Sequence, residues 1–146
     1  MQYDQLDAPI SQYWSANWSD ADRRAIEADQ EDPKDQACWE AFALLLALNT
    51  WKELVEDPRA SLALRGDAQG VLQDVIAGRA KSPRLNRIIA EMQLVLAPRA
   101  RDLWAIHWWS ERNIMCDNLS RGLGHDQLHD AERVAVSREC NWQMLK

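Results

Sequence analysis

Residues 60–78 read ASLALRGDAQGVLQDVIAG, and this stretch decides between an all-helical chain and one built on a sheet. Leu62 and Leu64 alternate with smaller residues over Ala60 to Gly66, which is the period of a strand. From Ala68 to Ala77 the pattern turns helical, and Gly78 stands where a left-handed cap ends a helix. A strand running through Gly66-Asp67 straight into a helix is the unit from which helix-covered sheets are made.

Working outward, Ser82-Pro83 is an N-cap followed by proline at the first helical position. Leu85, Ile88, Ile89, Met92, Val95 and Leu96 then keep helical spacing until Pro98. Asp102 to Trp109, DLWAIHWW, is short, apolar and bounded by polar residues, so it reads as a strand. Asn113 caps a helix over Ile114 to Arg121 that Gly122 ends. Upstream, Gln36 to Glu56 reads as one helix with an apolar surface too wide for a single stripe, hence buried on more than one side. An acidic linker, Asp29 to Asp35, precedes it, and before that Ser19 with Asp22 forms a capping arrangement for a helix over Asp20 to Ala28. Pro9 to Trp18 is expected as a strand, with Gln2 to Leu6 as a hairpin arm. Leu123 to Lys146 is read as one amphipathic helix. The resulting alternation predicts an α/β fold, a sheet flanked by helices.

The chain has 146 residues, 47% apolar and 27% charged, which suits a single globular domain. Eight tryptophans against one phenylalanine and two tyrosines call for a bulky core with polar partners at its rim. Cys38, Cys116 and Cys140 are an odd count at wide spacing, which argues against a disulfide framework and for a reducing, intracellular setting. The longest apolar stretch, Ala41 to Leu48, is far short of the roughly 18 residues that a membrane span needs, so no membrane partner is expected.

The net charge of −6 is unevenly divided. Residues 1–57 carry 13 acids and 4 bases, whereas residues 58–121 carry 6 acids and 10 bases, mostly arginine. A basic centre of this kind suits a phosphate-facing surface, and equally a solvated face.

Three carboxylates stand where packing alone does not ask for them. Glu40 lies just before Ala41 to Leu48, Asp67 lies between a strand and a helix, and Asp117 lies one turn into the last helix. Ligands gather at the carboxyl ends of strands in open α/β sheets, and carboxylates converging there make an oxygen site for Mg²⁺. Each residue also has a structural reading: Asp67 as an N-cap, Asp117 as an i,i+4 partner of Arg121, Glu40 as a surface residue.

The stretches YWSANWSDADRR, CWEAFALLLALNTW, LALRGDAQGVL, SPRLNRIIAEMQLVL and IHWWSERNIMCDNLSRG, in that order, resemble the ribonuclease H-like domain of retroelement reverse transcriptases. The resemblance runs from about Pro9 to Gly122. It implies a ribonuclease H-like domain over residues 1–122, with a mixed sheet flanked by helices, followed by the helical tail at 123–146. It further implies two-metal hydrolysis, with Mg²⁺ or Mn²⁺, of the RNA strand of an RNA/DNA hybrid. The metal-ligand roles fall on Glu40, Asp67 and Asp117. Shape, 2′-hydroxyls and phosphates would be recognised, with Gln69 and Asn86 toward the minor groove and Arg84, Arg87 and Arg121 toward phosphates.

The family begins with a strand carrying an Asp that bridges both metals. Asp4 and Asp7 stand too close to Tyr13 to supply it, so the domain reads as N-terminally truncated. An upstream reverse transcriptase segment or a partner chain is then expected to complete the sheet. The alternative is a catalytically degenerate copy acting as a nucleic-acid-binding or protein-interaction module. His125 and His129, at i,i+4, offer a weak zinc arrangement against the reading of a solvated tail helix.

Overall fold

The computed structural model describes residues 12–57, 62–66, 68–97 and 132–138, together with the backbone of 103–107. Within these, the elements are β1 (Gln12–Tyr13), α1 (Asp20–Ile26), a 3-10 turn (Pro33–Asp35), α2 (Gln36–Thr50), α3 (Lys52–Glu56), β2 (Leu62–Gly66), α4 (Gln69–Ala77), α5 (Pro83–Leu96), β3 (Leu103–His107) and β4 (Glu132–Arg133). The fold is of mixed helix and strand, with parallel pairing in both sheets.

The strand expected at Ala60 to Gly66 is β2, and it pairs in parallel with β3 from Leu62↔Leu103 to Gly66↔His107. Parallel strands cannot be joined by a tight turn, and here α4 and α5 make the crossover. α4 lies against both strands and against α5, which packs in turn on α2 and α3.

Helix limits follow the caps. Ser82 Oγ accepts from Leu85 N–H at 3.4 Å, and Pro83 occupies the first turn of α5. Gly78 ends α4 at φ 73°, the left-handed conformation that glycine adopts without strain. Ser19 and Asp22 close a reciprocal capping box, with Asp22 N–H to Ser19 Oγ at 3.2 Å and Ser19 N–H to Asp22 Oδ2 at 2.7 Å. α1 ends at Ile26, two residues short of the expected limit, because Glu27 turns left-handed at φ 55°.

Four expectations need correction. The single helix over Gln36 to Glu56 is two helices separated at Trp51 (φ −107°, ψ 31°). Thr50 Oγ1 bonds back to the Leu46 carbonyl at 2.7 Å, a contact that bends helices, and Trp51 Nε1 donates to Gln12 Oε1 at 3.0 Å. The strand over Pro9 to Trp18 is strand only at Gln12–Tyr13 among its described residues; beyond that, Trp14 and Trp18 lie against the core. The acidic linker contains an ordered 3-10 turn, in which Asp32 caps Lys34 N–H at 2.9 Å and Asp35 is buried. The described part of the tail, 132–138, is extended rather than helical, because β4 pairs in parallel with β1. The predicted hairpin arm and the helix at Ile114 to Arg121 lie outside the described residues.

The core is the α2–α5 contact extended toward α4. Leu45, Leu46, Ile88, Ile89, Met92 and Val75 are inaccessible to solvent. α2 buries Cys38, Trp39, Ala41, Phe42, Leu45, Leu46 and Leu48, so it is covered on more than one side, as its sequence requires. Trp18 stacks on Phe42 (5.4 Å between centroids) and tilts against Trp39 (4.9 Å), which closes the amino-terminal side of this core.

Truncating a fully enclosed side chain forfeits its transfer energy and leaves a cavity. Leu45→Ala is expected to lose about 2–5 kcal/mol in urea unfolding, whereas truncation of the exposed Leu94 stays within about 0.5 kcal/mol. Equal losses at the two positions would contradict this packing.

Candidate functional site

The carboxyl end of β2 is where the sequence led to the expectation of a metal site. Gly66 closes β2, and Gln69, exposed, is the first residue of α4. Ala68 occupies the N-cap position with no side-chain cap bond, so the first turn of α4 receives no capping side chain from its own cap residue. Asp67, Asp117 and Arg121 lie outside the described residues. Glu40 is half-buried on α2, and its Oε1 accepts from Gln36 Nε2 at 3.2 Å. Among the described residues, no three His, Cys, Asp or Glu side chains group to hold a metal ion.

Two of the arginines expected at phosphates, Arg84 and Arg87, are paired with groups of the chain itself. Arg84, in the first turn of α5, donates to the Glu27 carbonyl and to the carboxylate of Asp35. Arg87, one turn further, places Nη1 3.7 Å from Glu27 Oε1. Asn86 Oδ1 accepts from Ala80 N–H at 2.9 Å, which fastens the turn between α4 and α5. Each of these three side chains therefore has a structural partner that its sequence context does not announce.

Asp35 is the residue that sequence reasoning missed, having been read as part of a linker. Its side chain is 4% exposed and collects the Asp29 N–H at 2.7 Å besides the Arg84 guanidinium. The Asp29 amide and then the Arg84 hydrogen bond hold its carboxyl below the usual carboxylate range, against an opposing effect of burial. The same hydrogen bond holds the Arg84 guanidinium above its ordinary value. Beside them, burial pushes the Cys38 thiol up, so this cysteine is a packed thiol and not an activated nucleophile. Its place at the end of a proline turn, immediately before a helix start, was the available signal, but nothing local marks it as buried.

A shallow polar cleft lies near this cluster, lined by Trp18, Ser19, Asp20, Arg23, Asp29, Gln30 and Glu31. Asp20 is already paired with Arg23 at 3.2 Å. With three carboxylates and one guanidinium its lining favours cations over phosphates.

Comparison of the chain with protein-family models, curated proteins and solved structures finds no match.

The pH dependence follows from Asp35. A carboxyl whose folded pKa is depressed stabilises the fold fully above its unfolded value, and that stabilisation drains away as pH falls through the folded one. The wild-type chain should therefore lose stability as pH drops below about 4, where an unperturbed Asp titrates. Arg84→Gln should weaken the chain at neutral pH and flatten that acid limb, as read by denaturant midpoints across pH. An unchanged acid limb would show that the pair contributes nothing.

Proposed function

We propose that this chain is a ribonuclease H-like domain that engages an RNA/DNA hybrid and hydrolyses its RNA strand. The observation that carries the reading is the parallel β2–α4–α5–β3 unit, whose strands end together at Gly66 and His107. In open sheets of this kind ligands collect beyond the carboxyl ends of the strands, and Asp67 is the next residue in the chain after Gly66.

The proposed ligand set is Glu40, Asp67 and Asp117. Glu40 fits the role chemically, since a half-buried carboxylate anchored by Gln36 is the hard oxygen donor that Mg²⁺ or Mn²⁺ takes. A divalent ion there would lower the pKa of a water and stabilise a leaving oxygen. The chain's own contribution would be to present Glu40 from α2 and to let Gln69, at the exposed start of α4, approach the minor groove. An upstream segment or partner chain supplying a further Asp strand remains part of the proposal.

A second reading draws on a specific observation. Arg84 and Arg87 spend their charge on Asp35 and Glu27, which leaves fewer cations for phosphate than the sequence suggests. That favours a non-catalytic binding or interaction module with the same fold.

The deciding experiment is cleavage of an RNA/DNA hybrid in Mg²⁺ or Mn²⁺. Asp67→Asn should lower the rate roughly 100-fold or more, as removal of a metal-binding charge does. Cutting that survives the substitution would overturn the assignment. A folded chain that cuts under neither metal would select the module.

A further inference from the structure

The described tail residues, 132–138, read ERVAVSR and lie in an extended conformation against parts of the chain from which they are remote in sequence. Gln12↔Glu132 and Tyr13↔Arg133 pair in parallel, and Val134 N–H continues the ladder to the Tyr13 carbonyl at 2.9 Å. Ser137 N–H donates to Thr50 Oγ1 at 3.0 Å, beside the break between α2 and α3. Val136 packs against the hydrophobic core, while Ala135 is exposed. Arg138 ends the run: its Nη2 donates to the Asn17 carbonyl at 2.9 Å and lies 3.6 Å from Asp22 Oδ2, a buried carboxylate that also caps α1.

These contacts have the parts of a peptide-recognition site. Main-chain hydrogen bonds hold an extended strand, one side chain enters an apolar recess, and a charged anchor sets the register. They also have the marks of a segment that opens by itself. Within 132–138, only Val136 is packed on the core, the other ties are polar, and Glu132, Arg133, Ala135 and Arg138 are themselves exposed.

We propose that Tyr13, Asn17, Asp22 and Thr50 form a strand-accepting groove for an extended Val-x-Val-Ser-Arg segment, filled in cis by residues 132–138 as a releasable latch. The arginine is the key that selects the occupant. Asp22 is 5% exposed, and a guanidinium reaches its carboxylate and the Asn17 carbonyl together, which a shorter or neutral side chain does not.

The test uses the full chain and residue-resolved amide hydrogen exchange. Arg138→Ala should speed exchange at Val134 and Ser137 at least tenfold while Leu45 and Leu46, in the core of α2, keep their protection. Val136→Ala, which leaves the cap of α1 untouched, should give the same selective change. A labelled ERVAVSR peptide should bind the Arg138→Ala chain saturably, and a peptide with alanine in place of its last arginine should bind at least tenfold more weakly. The proposal is overturned if Val134 and Ser137 are unaffected, if they accelerate together with Leu45 and Leu46, or if the two peptides bind alike.

Discussion

One buried carboxylate sets the relation between the two principal helices. Asp35 stands immediately before α2, and Arg84 stands in the first turn of α5, so their hydrogen bond brings the two helix starts to the same end of the molecule. Asp35 also gathers the Asp29 amide, and Arg84 the Glu27 carbonyl, which ties the loop after α1 into the same junction. A buried charge has to be matched by partners, and this one is matched by two. With the starts of α2 and α5 joined, Leu45 and Leu46 meet Ile88, Ile89 and Met92 in a solvent-free layer against which α4 packs, and α4 in turn lies against β2 and β3.

The junction also explains why the charge distribution reads differently in three dimensions. Arginines in the middle of the chain suggested a phosphate-facing surface, yet two of them, Arg84 and Arg87, are turned toward Asp35 and Glu27 in the acidic amino-terminal part. The opposite net charges of the two segments are thus in part complementary halves of one contact within the chain. A count of charge along a sequence records their signs but not which way the side chains face.

Local chemistry was the legible part of the sequence. Ser19 with Asp22, Ser82 with Pro83, and Gly78 set helix limits through contacts within a few residues, and those limits hold to within a residue or two. The β2 strand was readable from two leucines, and β3 from a short apolar run. The break at Trp51 was not, since it depends on Gln12, 39 residues earlier. Nor was the extended form of 132–138, whose partners Tyr13, Thr50 and Asn17 are remote in sequence. Of the candidate site, Glu40 and Gln69 were readable as residues on α2 and at the start of α4, whereas the structural employment of Arg84, Arg87 and Asn86 was invisible without their long-range partners.

The pairing of Gln12 with Glu132 joins residues 120 positions apart, and this has a consequence for synthesis. A nascent chain emerges from its amino end, at about 5–20 residues per second, so β1 must wait for most of the chain before its partner strand exists. α2 and α5 can meet well before then. During that interval the segment with Trp14 and Trp18 lacks two of its ties, since Arg133 and Arg138, which donate to the Ser15 and Asn17 carbonyls, are made later. The later-made strand thus completes a structure whose other half, with Trp14 and Trp18, is made some 120 residues earlier.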